Sequence, residues 1–195
     1  EIEIGTITDW LKINEEVADT IIEKHNDINV DYDGWYDFII EDFLERADKI
    51  GFGISYDDVQ FSGFYSQGDG ASFEGYVNIL KYLKATKQLT VYRPLVRAIN
   101  CGYIEDGVGI SRNSHHYSHE NTCSLMNIEV YEDITPRVES LLSDLETELE
   151  EKRKELSLEL YSDLDKANDD LRSRESVIST LVANEYEFDE SGEVA

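Results

Sequence analysis

Between Pro136 and Gly192 the chain contains neither proline nor glycine, so that stretch carries neither of the strong helix breakers. Ile134, Val138, Leu141, Leu145, Leu149, Leu156, Leu160, Leu164, Ala167, Leu171, Ile178 and Leu181 recur at mostly three- and four-residue steps, the period of one apolar face on a straight helix. A helix of about 45 residues is roughly 70 Å long, against a diameter near 30 Å for a domain of about 130 residues. The stripe therefore predicts pairing with a second chain as a coiled coil, or a fold-back near "DKANDD" as a helical hairpin. Lys152 and Arg174 fall on the stripe and argue against an uninterrupted tight coiled coil.

Upstream, "TITDWLKINEEVADTIIEKH" has Trp10, Leu11, Val17, Ile21 and Ile22 at helical spacing after Thr8 or Asp9 as N-cap. "DYDGWYDFIIEDFLERADKIG" places Trp35, Phe38, Ile39, Phe43, Leu44 and Ala47 on a second helical stripe that ends at Gly51. From Ile54 the period changes to two, which predicts two strands joined by "SQGDGAS". "EGYVNILKYLKATKQ" reads as a short helix, and Pro94 opens another helical turn. "VGISRNSHHYSHENTCSLMNIEVYED" alternates again, with "SHEN" as a turn between antiparallel strands. The fold class is α+β: a small antiparallel sheet with N-terminal helices and a long acidic C-terminal helix or helical hairpin. The expected organisation is a globular domain over 1–132, a helical region over 133–186 and a disordered acidic tail over 187–195.

Asp and Glu number 43 against 17 Lys and Arg, a net charge of −26, yet 41% of residues are hydrophobic and 11% aromatic, enough for a core. That charge repels nucleic acid and anionic membrane, and favours a partner with a basic surface. Two cysteines are too few for a disulfide framework and fit a reducing compartment. No apolar stretch approaches a membrane span. The sequence opens on Glu1, so a little of the natural N-terminus is expected to be missing.

Asp144, Glu148, Glu151, Glu155, Glu159 and Asp163 form a ridge on one side of the long helix. From Asp144 to Asp170 the net charge is −7, about one per 6 Å, whereas duplex DNA carries one per roughly 1.7 Å. The ridge is either a solvated face with support from Lys152, Arg153 and Lys154 or a dilute electrostatic decoy.

Two further stretches carry chemistry. "SRNSHHYSHENTCS" holds three of the four histidines. On a strand His115, Tyr117 and His119 share a face, so His115 and His119 are the residues that would ligate a metal, with Glu120, Cys123 or Asp69 as a third ligand. No zinc-site spacing is present, and the alternative is a polar hairpin surface. "FSGFYSQGDGASFEG" has four glycines among aromatics but neither P-loop nor dinucleotide spacing. It is a hairpin loop with packed aromatics, or a recognition surface in which Tyr65 and Gln67 make contact.

"DDVQFSGFYSQGDGASFEG", followed by "HHYSHENTCSLMNIEV", resembles a group of uncharacterised bacteriophage proteins sharing an FSGF-aromatic-SQGDGA-x-F-x-G segment and a Tyr-x-His-Glu hairpin. The likeness covers roughly residues 33 to 131 and implies a phage origin without an activity. On it the shared surface is 61–75 with 115–123, with Gln67, Asp69, Tyr117, His119 and Glu120 as its polar members. The expected function is a non-enzymatic acidic protein that binds and inhibits a host nucleic-acid-handling protein of restriction, CRISPR or repair type, in part as a nucleic-acid mimic. Its expected place is the host cytoplasm, with no cofactor, no direct nucleic acid or membrane contact, and self-association through the long helix. The alternatives are a metal-dependent hydrolase using Asp69, Glu74, His115, His119 and Glu120, or a phage assembly protein.

Overall fold

The computed structural model describes residues 3–195. The chain divides into two compact units, one from residues up to Asp37 together with Leu164–Ala195, the other Phe38–Asp163. This division does not follow the expected limits at 132 and 186. The first and last parts of the sequence build one unit together, and Phe38–Asp163 forms the other.

In the discontinuous unit, β1 (Ile4–Thr6) pairs antiparallel with β8 (Glu187–Asp189), Gly5 opposite Phe188. Residues 187–195 are therefore not a disordered tail: Phe188 is fully buried. The first helix is two. Thr6, rather than Thr8 or Asp9, caps α1 (Ile7–Ile13) in a reciprocal box with Asp9. Asn14 then interrupts the run and caps α2 (Glu15–Lys24), its side chain accepting from Glu16 N and Val17 N. Ile7, Trp10, Ala18, Ile21 and Ile22 pack with Phe188 and with Val177 and Leu181 of α7 (Arg174–Ala183). The Trp10 indole N–H donates to the Phe188 carbonyl at 3.0 Å.

In the continuous unit, α3 (Asp37–Lys49) buries Ile40, Phe43 and Ala47 at helical spacing. Phe38, expected on that stripe, is 79% exposed. Gly51 follows with φ of 93°, and a Cβ there would stand 2.9 Å from both Asn78 O and Tyr82 N, so only glycine passes this corner. The four-stranded antiparallel sheet has the order β2-β5-β6-β7, formed by Phe52–Gly53, Gly75–Val77, Val108–Arg112 and Cys123–Leu125. β3 (Val59–Ser62) and β4 (Gly70–Phe73) make a separate hairpin, with Val59 opposite Phe73 and Ser62 opposite Gly70. The segment expected as one helix after Phe73 is β5 followed by α4 (Ile79–Ala85), because Asn78 caps the helix through Lys81 N. Pro94 lies in the first turn of α5 (Arg93–Asn100).

The long helix α6 (Pro136–Arg172) runs unbroken through "DKANDD", without a hairpin there. It ends where Ser173 caps α7. Its stripe is buried inside the chain: Leu145, Leu149 and Leu160 are at 0% exposure and Leu156 at 3%, each buried leucine worth about 1.5–3 kcal/mol. The premise that this helix needs a second chain to cover its stripe does not hold. The side chain interrupting the stripe is Arg153, at 0% exposure, rather than Lys152. Among the described residues no helix is long and apolar enough to cross a membrane.

A candidate recognition surface

The loop of residues 63–69 at the tip of the β3–β4 hairpin is held from within. Asp69 Oδ2 accepts from Tyr65 N at 3.0 Å and Ser66 N at 2.6 Å. The Asp69 carboxylate fills the space beside Gly63, whose φ is 46° and where a Cβ would come within 2.3 Å of it. Phe64 stacks on Tyr161 of α6 at 5.7 Å between ring centroids. Asp69 is thus an anchor of the loop, while Tyr65 (77% exposed) and Gln67 are presented outward.

Residues 113–122, between β6 and β7, form an irregular loop and not a strand. The alternation that would put His115 and His119 on one face does not apply. Thr122 organises the loop: its hydroxyl donates to His119 O at 2.7 Å, its N–H donates to the same carbonyl at 2.9 Å, and Asn113 N donates to Thr122 O. His119 Nδ1 accepts from Asn121 N at 3.2 Å, which leaves the proton of a neutral ring on Nε2. His115 is exposed, and Tyr117 is 54% exposed.

The two loops meet. A Cβ on Gly68 would lie 2.9 Å from the Tyr117 ring, and one on Gly70 would lie 2.6 Å from His119 Cβ, 2.7 Å from His119 Cα and 2.8 Å from Ser118 O. These glycines let the hairpin lie directly against the 117–119 backbone. Gly70→Ala is expected to push the loops apart and cost about 1–3 kcal/mol, read by thermal unfolding. Gly53→Ala, whose Cβ would meet only Tyr76 O at 3.5 Å, should cost under about 1 kcal/mol.

Of the carboxylates proposed for acid–base or metal work, Asp69 and Glu74 are engaged elsewhere, while Glu120 Oε2 stands 3.9 Å from His119 Nδ1. Glu74 lies 3.3 Å from Arg112, whose side chain is 4% exposed and also donates to Ser72 Oγ. Glu120 accepts from Asn121 Nδ2. Among the described residues no group of three or more His, Cys, Asp or Glu side chains is placed to hold a metal ion.

The acidic ridge of α6 is largely consumed within the chain. Glu148 accepts from Tyr82 OH (2.7 Å), Gln88 Nε2 (2.5 Å) and Tyr92 OH (3.1 Å). Glu159 and Asp163 both face Arg46, at 3.8 and 2.6 Å, and Glu155 pairs with Lys152 at 2.9 Å. Asp144 and Glu151 are the exposed members without an ion pair among the described residues. A continuous line of bare carboxylates along α6 is therefore absent.

Two polar groupings were not anticipated from the sequence: the carboxylate cage around Glu148, and Arg153 with Glu150. The Arg153 guanidinium donates to Glu150 Oε1 at 2.6 Å and to Glu120 O at 2.8 Å, tying α6 to the 113–122 loop. Among the described residues Arg153 Nη1 and Ser157 Oγ, one turn apart, are buried with no hydrogen-bond partner.

Residues 35–174 match the family described as the domain of unknown function DUF8835. The chain belongs to the DUF8835 family. No curated protein and no solved structure matches it. The DUF8835 span takes in both loops, the Glu148 cage, Arg153 and all of α6, and leaves α1, α2 and β8 outside. The charge is unequally shared. The unit containing the two ends of the sequence has 20 acids against 5 bases, and Phe38–Asp163 has 23 against 12.

Proposed function

We propose that the protein works by binding: it is an acidic inhibitor of phage type that engages a host protein whose own basic surface handles nucleic acid. The observation that supports this reading best is the composite surface of the two loops. It presents Tyr65 and Tyr117, exposed by 77% and 54%, on backbones fixed by internal hydrogen bonds. Rigid amphipathic aromatics of this kind lose little entropy on contact and make good anchors. The neighbouring carboxylates are spent on holding the loops, so the surface is built for contact rather than proton transfer. Net negative charge supplies long-range attraction and the loops supply specificity. Imitation of a nucleic-acid backbone by α6 is not part of this reading, because four of the six ridge carboxylates are engaged within the chain.

Capture from bacterial lysate on the intact protein tests it. The expected partner is a basic nucleic-acid enzyme, held at about 50 mM salt and released by about 500 mM. Its affinity, measured with the purified partner, should fall at least about tenfold in the Tyr65→Ala/Tyr117→Ala double variant, a change of about 1.4 kcal/mol. An affinity indifferent to salt over that range would sink the proposal.

A further inference from the structure

A second surface lies at the sheet edge. β7 is the outermost strand of its sheet. Met126 N donates to Gly109 O and Asn113 N to Thr122 O, so the alternation of an antiparallel ladder turns the backbone groups of Leu125 away from β6. The Leu125 N–H accordingly donates to Glu150 Oε2 of α6 at 3.1 Å. Between this edge and α6 runs an open groove of about 640 Å³, within the size range of ligand clefts. Leu125 and Met126 give it apolar surface, Met126 being 56% exposed, while Glu146, Glu150, Glu151 and Lys154 line it from α6.

Glu151 belongs to the ridge as well as to this groove, and Glu146 and Glu150 join it there. Glu150 is held by Arg153 and Leu125 N, but among the described residues neither Glu146 nor Glu151 is in an ion pair. They stand five positions apart, on either side of Glu150 around the helix, and all three line the groove. Glu146 and Glu151 outnumber Lys154, the one cation that lines the groove among the described residues, and two acids beside an adaptable methionine suit long cationic side chains, whose heads reach the acids while their stems cover the thioether.

We propose that the groove takes an extended cationic segment of the partner polypeptide, with Lys or Arg side chains on Glu146 and Glu151 and their aliphatic stems over Leu125 and Met126. Because Glu150 already takes the Leu125 N–H, strand addition is blocked at that rung. Side-chain charge rather than backbone pairing makes the contact. The inference rests on the reading of the protein as a binder of a basic partner, and adds where on it the basic segment lies.

The test is a titration of the isotope-labelled full chain with a capped peptide of about eight alternating Lys and Val residues, at about 0.15 M salt. The largest amide shifts are expected at residues 124–127 and 146–154. The affinity should fall about tenfold in Glu146→Gln/Glu151→Gln and stay the same in Tyr65→Ala. Shifts spread over the acidic residues 15–33 with a silent groove would overturn the inference, as would no response at about 1 mM peptide or an unchanged affinity in the double glutamine variant. A silent groove with intact capture of a basic host protein removes only this inference. A responding groove with no such capture removes the earlier reading, and with it the host partner, and leaves only a groove that takes cationic segments.

Discussion

Glu150→Ala is expected to lower the unfolding free energy by about 3 kcal/mol, the low end of what is lost when one member of a buried ion pair is removed. Arg153 is fully buried and among the described residues Glu150 is its only charged partner, while the Glu150 side chain keeps 29% exposure, so water offsets part of the loss. Three hydrogen bonds go with the carboxylate: two from the guanidinium and one from Leu125 N. What remains is a cation with one oriented acceptor, Glu120 O. If the cost comes from the stranded charge, Glu150→Leu with Arg153→Met should recover at least about half of it. If the double variant is as unstable as the single one, packing rather than charge is responsible.

The same pair sets an acid limb. Burial pushes the Glu150 carboxyl up, but the hydrogen bonds from Arg153 and from Leu125 N outweigh it and hold the group below its ordinary 4.5. A carboxyl depressed in the folded state contributes stability that is present above its unfolded value and is lost as pH falls through the folded one. Denaturant midpoints should therefore decline below about pH 4.5 in the native chain, and decline less steeply in Glu150→Gln.

Glu148→Ala is the second large effect, about 2–3 kcal/mol, because it leaves the hydroxyls of Tyr82 and Tyr92 and the Gln88 amide without their common acceptor. Tyr82 and Tyr92 are 3% and 5% exposed, so water does not readily replace the carboxylate. Both phenols are held above their ordinary 10.0, first by burial and then by the Glu148 carboxylate, Tyr92 to about 12. A phenol raised in the folded state contributes stability that is intact below the unfolded value and is lost as pH climbs through the folded one. The native chain should weaken between pH 10 and about 12. Glu148→Ala should be less stable at neutral pH but lose less over that alkaline window. An alkaline limb identical in both proteins would mean that burial alone shifts the tyrosines.

The fold class and the hairpin β3–β4 were legible because they rest on local signals, the period-two run and the glycines around Gln67 and Asp69. The division of the chain was not, because β1 and β8 are short and each reads as polar until the other is beside it. The first helix was misjudged at Asn14, where a capping side chain outweighs an apolar rhythm that runs on past it. Stripe spacing did contain Arg153, four residues beyond Leu149 and three before Leu156, but a cation on a core position reads as a break until its carboxylate is located. The meeting of Gly68 with Tyr117 and Gly70 with His119 is a contact across about fifty residues, which spacing along the chain cannot reveal. The histidine loop failed as a metal site for a local reason: Thr122 and Asn121 claim the backbone and the ring of His119, and the segment never becomes a strand.

The pairing of Ile4–Thr6 with Glu187–Asp189 fixes an order of events during synthesis. Ile7, Trp10 and Ile21 emerge early but bury themselves against Val177, Leu181 and Phe188, so their apolar faces wait until almost the whole chain has been translated. Phe38–Asp163 is contiguous and can condense in the meantime. A ribosome-stalled chain ending near residue 165, carried clear of the exit tunnel by an appended flexible linker, should therefore resist protease across the middle while its first thirty-odd residues remain open to cutting.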